Sequence, residues 1–560
     1  MGAALAAEPD VAATEAEALA LQETPEGRRF LTRLGNGDGL TFYADHYLGL
    51  ATPECHVRWF RAFDLTRRLL FLAPRSHGKT SSAARVFIGQ RILTNRNVRI
   101  LVVSLTKGAA AKSARQVRRD LEKNPRIRED WTCEEAGGPF REKGAPWTDS
   151  FFYVRRSQLL RDPTVEAVGA GGAITGGRFD VIIIDDPEDE RTTLTARRRR
   201  KTVEWLYGTV LPLLDTGGQV VVIGTRKHAA DLFDTIDKDP TFAKVCDRAI
   251  EAWPDLEKVR WIHRTDPETG RQQLVDVEIP PEAGGKVLWP EKLSLGALLL
   301  IWKSNGSLLF TREYQNDVID DAAAAFRKDW LAAAKKRGAG RGFLKSGWDF
   351  ENDVPHPRCE GLIVWQSWDF ALVDSEEKAE EQDSDYTVGQ TWGLDWETGD
   401  RVLLRAIRRR GLSPQQILAL VESEAALFPQ RIAVIVENNS FGKILEMGLR
   451  RSTDLPLYGH TTDKKKHSLF EGVPAMSAGY ENGKVILPYA GAGELADGEA
   501  DPRPFVDLFV AEHHGLGREA HDDTVMGEWV GHHWIVKWIR AEEVRRRKRR
   551  VRVSGGAKAA

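Results

Sequence analysis

Four short apolar runs punctuate the chain between positions 45 and 235: LLFL (69–72), VRILVVS (98–104), FDVIIID (179–185) and QVVVIG (219–224). They barely alternate, which is the pattern of strands buried on both faces in a parallel sheet flanked by helices. Between them, 81–94 and 107–122 carry apolar positions at helical spacing. This predicts an α/β domain over 45–240. The stretch 241–345 loses the rhythm; it is richer in Pro, Gly and charge, with Trp253, Trp261, Trp289 and Trp302 irregularly placed, and reads as a connecting subdomain. A second rhythm begins near 361. GLIVWQSWDF, TVGQTWGLD and RVLLRAI read as three strands with hairpin-type connections, WETGD making the turn between the last two. A helical stretch (413–428), the buried strand RIAVIVE (431–437) and a helix from 442 follow. The Ala- and Glu-rich leader 1–44 and the basic tail 540–560 carry no such pattern, and no internal repeat is found.

Composition adds limits. With 560 residues, the length prior points to two to four folding units. Hydrophobic residues at 42% suffice for real cores, which excludes wholesale disorder. Cys55, Cys133, Cys246 and Cys359 lie far apart without a C-x-x-C pair, so a disulfide scaffold or zinc ribbon is not expected and the thiols are expected reduced. No apolar run reaches the length of a membrane span, and the N-terminus lacks the basic region of a signal peptide. A soluble intracellular protein is expected. The β-β-β-α-β-α order over 346–539 resembles a ribonuclease-H-like fold. The fold class expected is therefore α/β throughout: a P-loop NTPase domain with a parallel sheet, followed by an RNase-H-like nuclease domain.

Chemistry enters directly after LLFL, with APRSHGKTSS and then a helix. Gly78, Lys79 and Thr80 match the second half of a Walker A element, with Ala73 where the first Gly usually stands. Amides of a loop containing Arg75, Ser76, His77, Gly78 and Ser81, with the helix N-terminus, would cradle phosphates. Lys79 would reach the terminal phosphates of ATP, and the Thr80 hydroxyl would ligate Mg²⁺. The complementary element is a strand ending in acids, FDVIIIDDPED. There Asp185 would hold Mg²⁺, and either Asp186 or Glu188 would orient the attacking water. Arg75 is either a finger supplied in cis to the γ-phosphate or a solvated side chain. At the end of VVVIGTRKH, Thr225 is either a γ-phosphate sensor or an ordinary strand terminus. The Gly-rich approach GAGGAITGGRFD (169–180) opens a strand rather than a helix and lacks G-x-G-x-x-G, which rejects a dinucleotide fingerprint. It reads as a hairpin, with Arg178 as a further candidate arginine. ARRRRK (196–201) is either a solvated helix face or a contact for DNA or a neighbouring subunit.

In the second pattern, Asp369 ends the first strand, Glu437 ends RIAVIVE, and Asp522 and Asp523 open a helix-like segment. Carboxylates from such distant positions suit convergence on two Mg²⁺ or Mn²⁺ ions, because hard cations prefer oxygen ligands. Asp383 and Asp385, in the acidic loop 374–385, either add ligands or merely end that loop. His521 either shuttles a proton or pairs with a neighbouring Asp. His513 and His514 lack the spacing of helical zinc ligands, and a surface role is expected.

APRSHGKT, VIIIDDPE, VVVIGTRKH, SWDFAL, IVENNSFG and HDDTVM occur in this order, with WPEKL (289–293) and FTREYQND (310–317) between the halves. Together they resemble the large terminase subunit of tailed bacteriophages over roughly residues 45–535. The resemblance implies an ATPase that translocates double-stranded DNA into a procapsid and a nuclease that cuts concatemeric genomes. It implies Arg75, Lys79, Thr80, Asp185 and Asp186 as ATPase residues, and Asp369, Glu437 and one or both of Asp522 and Asp523 as nuclease ligands. Asp186 departs from the family's more usual Glu. Implied partners are duplex DNA, a portal protein, a small terminase subunit and further copies of the chain in a ring, in the cytoplasm of an infected bacterial host. Two other readings are weighed: a DNA helicase or repair translocase with an attached nuclease, for which no strand-separation motif is found, and a portal-docking module with degenerate sites. The near-zero net charge, −2, averages over acids in the leader and the 374–385 loop and cations at 196–201, at Arg408, Arg409 and Arg410, and beyond Arg540. A modest net charge with such local basic stripes is compatible with movement along DNA. For the tail, contact with DNA or the portal is weighed against a disordered end.

Overall fold

The structure is a computed structural model and describes residues 19–172, 174, 176–193, 195–228, 230–317, 325–340, 361–371, 386–438, 442–462, 466, 468, 471–487, 503–516 and 522–556. The chain forms two compact units. The first comprises Met1–Trp253, Gly285–Leu295 and Arg312–Val318; the second comprises Pro254–Gly284, Gly296–Thr311 and Ile319–Ala560.

In the first unit, seven strands form one sheet: β1 (Arg68–Leu72), β2 (Ile100–Ser104), β3 (Phe151–Phe152), β4 (Val165–Gly169), β5 (Phe179–Asp185), β6 (Leu214–Gly224) and β7 (Ala243–Cys246). The order is β3-β4-β2-β5-β6-β1-β7, and every pairing is parallel except β3 with β4. The apolar runs fill its centre: every residue of β2 is buried, as are Ile182, Ile183 and Ile184 of β5. One face packs on Trp59, Phe63 and Phe87, the other on Leu206, Val210 and Phe233. Residues read as a featureless leader join the first face. The helix Pro25–Thr32 is capped by Thr24, Arg28 binds Asp130 at 2.6 Å, and Leu31, Leu40 and Tyr43 are buried. A small antiparallel pair, β8 (Ile250–Ala252) with β11 (Lys286–Val287), completes the unit.

The hairpin expected at 169–180 does not form. Strands β4 and β5 both run parallel to β2, one on each side, so the Gly-rich segment belongs to a crossover. Two strands that each fill a side of a central one cannot pair with each other.

In the second unit, β12 (Leu362–Asp369), β13 (Thr387–Asp395) and β14 (Arg401–Arg409) form an antiparallel meander. Next come the helix Pro414–Ala426, which opens on a Ser413 capping box, then β15 (Ala433–Glu437), the helix Gly442–Ser452, β16 (Leu457–His460) and β17 (Val485–Ile486). The sheet order β16-β15-β12-β13-β14-β17, with β15 parallel to β12, is RNase-H-like. The stretch read as irregular contributes β9 (Arg260–Thr265) and β10 (Gln272–Glu278), an antiparallel hairpin. The WETGD turn docks on it, Trp396 Nε1 donating to the Thr269 carbonyl at 2.6 Å.

The tail is not a loose end. A single helix, Asp523–Gly556, buries Trp529 and Val530 and then runs past the same hairpin. Arg271 pairs with Glu543 at 2.6 Å, Arg547 with Asp266 at 3.0 Å, and the Arg546 guanidinium lies 3.9 Å from the Trp396 ring centre. His513 is also not at the surface. Its Nε2 meets Glu528 Oε2 at 3.0 Å in the core, where Tyr480 Oη donates to the same oxygen at 2.6 Å. Its fully apolar neighbours Phe326 and Phe509 explain the burial: their rings enclose the imidazole. Among the described residues, no helix is long and apolar enough to cross a membrane.

Candidate functional site

Register decides the first site. Leu72 of β1 lies level with Gly224 of β6, and Asp185 of β5 lies level with Ile223. Three strand ends therefore open onto one edge, although β1 and β5 are not neighbours. The loop after β1 turns sharply, with Ser76 at φ 67° and Gly78 at φ 83°. At Gly78 an added Cβ would stand 3.0 Å from the His56 ring, so both backbone conformation and space call for glycine. His56 Nε2 also meets the His77 carbonyl at 2.8 Å, bracing the loop from behind.

The loop and the acid strand meet in a cleft of about 410 Å³. Arg75, Ser76, Gly78, Lys79, Thr80 and Ser81 form one wall, and Asp186 and Thr225 face them. Lys79 Nζ lies 3.3 Å from Asp186 Oδ2, and Thr80 Oγ1 donates to Asp185 Oδ1 at 3.2 Å. Asp186 adopts φ 44°, and its carboxylate accepts from the Thr225 amide at 3.2 Å. Burial, reinforced by Asp186, pushes Asp185 up to about 7, against the pull of Lys79 and the Thr80 hydroxyl. A buried acid raised by a neighbouring acid and touching a hydroxyl is a donor pair suited to Mg²⁺.

Not every expected residue reaches the cleft. The His77 side chain is buried and turns back to the Arg75 carbonyl at 2.9 Å. Glu188 is buried elsewhere and accepts from the Leu232 amide at 2.8 Å, holding the start of the helix Leu232–Asp237. Arg178 donates to the Pro212 carbonyl, and Arg226 pairs with Asp231 at 3.1 Å. Two residues not singled out line the cleft instead, Lys227 and Glu313, whose Nζ and Oε1 are 3.0 Å apart. Lys227 stood inside VVVIGTRKH and Glu313 inside FTREYQND, but no spacing rule connects either to the phosphate loop.

The second site forms where β12 and β15 run side by side. Trp368 pairs with Val436, so the next residues, Asp369 and Glu437, end adjacent strands together. Asp523 is buried at the start of the long helix, and Asp522 is exposed beside it. Asp369 is raised well above the usual carboxylate range, first by burial, then by a hydrogen bond and charge repulsion from Glu437, and further by Asp523 and Asp522. Acids that repel one another at strand ends are the donor chemistry a divalent cation relieves. As they stand, no three His, Cys, Asp or Glu side chains among the described residues are grouped closely enough to hold a metal ion. His460 ends β16 level with Glu437 and also escaped the sequence reading. Arg408, one of the cations concentrated at 408–410, turns inward: it meets Glu512 at 2.9 Å and Asp523 at 3.7 Å, over the Tyr386 ring. Asp383, Asp385 and His521 lie outside the described residues.

No protein-family model matches the sequence, and no curated protein matches it. Solved structures do. The large terminase of a thermophilic bacteriophage is 10% identical, with 78% of this chain and 88% of that one covered at a TM-score of 0.39. The large terminase of bacteriophage HK97 is 11% identical, with 81% and 90% covered and a TM-score of 0.32. The large terminase nuclease from thermophilic phage G20c, solved with bound magnesium, is 16% identical over 30% of this chain and 80% of that one, at 0.23. These solved structures are large terminases of bacteriophages, and the likeness is one of fold.

Proposed function

We propose that the chain is the ATP-driven motor of viral DNA packaging, moving double-stranded DNA into a procapsid and cutting concatemeric DNA. The observation that carries the ATPase half is the pairing of Lys79 with Asp186 and of Thr80 with Asp185 at one edge of a parallel sheet. Loop amides and Lys79 bind and orient the ATP phosphates, the loop turning sharply at Ser76 and Gly78. Asp186, 3.3 Å from Lys79, is the carboxylate that would orient water and take its proton. Arg75 and Thr225, which line the same cleft, would meet the terminal phosphate. In the nuclease half, Asp369, Glu437 and Asp523, with Asp522, position the scissile phosphate and the attacking water. Thr80 and Asp185 at one site, and these carboxylates at the other, would hold divalent cations, which would supply neutralisation of phosphoryl charge and activation of water.

Partners on this reading are duplex DNA, a portal ring, a small terminase subunit and further copies of the chain. The test is a plasmid digest with wild-type and Asp369→Ala protein, with and without Mg²⁺ or Mn²⁺, alongside ATP turnover by Lys79→Ala. Cutting should need the metal and Asp369 but not Lys79, and ATP turnover should need Lys79 but not Asp369. Metal-replete cleavage by Asp369→Ala would sink the nuclease assignment. Loss of both activities in a folded Lys79→Ala protein would sink the separation into two centres.

A further inference from the structure

Glu313 enters the ATP cleft from a segment far from either motif, and nothing above uses it. Its carboxylate is buried and still charged: burial pushes its pKa up, and Lys227, Arg312 and Arg75 more than reverse this, holding it below the usual range. Both oxygens face cations of the cleft. Oε1 accepts from Lys227 Nζ at 3.0 Å, and Oε2 lies 3.5 Å from an Arg75 guanidinium nitrogen. The backbone fixes the approach, the Arg75 amide donating to the Glu313 carbonyl at 2.8 Å. Lys227 makes a second bond to Thr225 Oγ1 at 3.0 Å. With Lys79 on Asp186, three cations of one cleft are thus each held by a carboxylate. A carboxylate gripped by three cations, Arg312 being the third at 3.3 Å from Oε1, is a poor base, which argues against a proton-abstracting role. It is, however, a good stand-in for a phosphate, which offers the same cations charged oxygens.

We infer that Glu313 is a latch. It holds Lys227 and Arg75, and the terminal phosphate of a nucleoside triphosphate competes for both. Glu313 is then a positioning residue that sets the preference of the site for triphosphate over diphosphate. This rests on the ATP-site reading proposed above.

The test is equilibrium binding of ATPγS and ADP to the full chain in wild-type, Glu313→Gln, Lys227→Gln and doubly substituted forms, with Lys79→Ala as control. Removing the competitor should tighten ATPγS by about tenfold, while ADP changes by no more than about twofold. The gain should shrink when Lys227 is already Gln. If Glu313→Gln weakens both nucleotides alike, or leaves their ratio unchanged, while Lys79 remains essential for binding, the latch is wrong and the ATP site stands. If wild-type protein binds neither nucleotide, the ATP site itself fails and the latch with it. Should Glu313→Gln not fold, Glu313→Asp, whose carboxylate is drawn back by one methylene, should shift the ratio in the same direction by less.

Discussion

Glu188→Gln tests how burial sorts two neighbouring acids into different tasks. Glu188 is buried, and desolvation pushes its carboxyl from 4.5 up to about 7, the Leu232 amide pulling it back and Asp231 adding to the rise. Because the folded-state value lies above the unfolded one, the folded chain holds this proton more tightly. The stability contributed by the protonated group is therefore full below about 4.5 and is lost as pH rises through about 7. A shift of about 2.5 units corresponds to about 3 kcal/mol at most. Glutamine keeps an acceptor for the Leu232 amide, 2.8 Å away in the wild type, and carries no charge to desolvate. The variant should match the wild type near pH 4.5 and be more stable at pH 8.5 by about 1–3 kcal/mol, roughly 2–5 °C in calorimetric melting of a unit this size. ATP turnover should stay within about twofold, since Asp186 and not Glu188 lines the cleft beside Lys79. A variant less stable than wild type at pH 8.5 would refute the desolvation argument. A folded variant that had lost ATP turnover would make Glu188 the catalytic carboxylate.

Other perturbations follow from particular contacts. Gly224→Ala would place a Cβ 2.1 Å from Phe233 Cζ at the strand end beside Thr225, and urea unfolding should show a loss of about 1–3 kcal/mol; an unchanged midpoint would mean that the ring moves freely. Tyr480→Phe removes the 2.6 Å bond to the buried Glu528 carboxylate, and a loss of about 1.5–3 kcal/mol is expected by denaturant titration. No loss would place that hydroxyl in solvent. Arg197, Arg200 and Lys201 are exposed on the helix Ala196–Trp205 and make no ion pair among the described residues. If they meet DNA phosphates, replacing all three with Ala should lower the slope of log affinity against log salt by about 2–3, and an unchanged slope would make them a solvated face. Arg408→Ala, in contrast, should lower the melting temperature, because it strips a partner from Glu512 and Asp523.

The sequence by itself determined the central strands of the two large sheets, β1, β2, β5 and β6 in one and β12 to β15 in the other, and which polar residues follow them. Continuous runs such as VIIID are intelligible only as strands buried on both faces, and a loop of GKT type after one strand with acids after another raises the expectation of a phosphate site before any fold is known. Local pattern also carried the meander through WETGD to RIAVIVE, because hairpin turns and helix caps are written within a few residues of the elements they join. Only the tertiary structure decided what depends on neighbours distant in sequence. Strand order made the Gly-rich segment a crossover, since β4 and β5 fill opposite sides of β2. Register separated Asp186 from Glu188: one lines the cleft against Lys79, and the other is buried under the Leu232 amide. Enclosure by Phe326 and Phe509 took His513 into the core. A hairpin hidden in an irregular stretch gave the basic tail a surface to follow. Lys227 and Glu313 became site residues by proximity alone, because a salt bridge between side chains 86 residues apart leaves no periodic or spacing signal in the chain that encodes it.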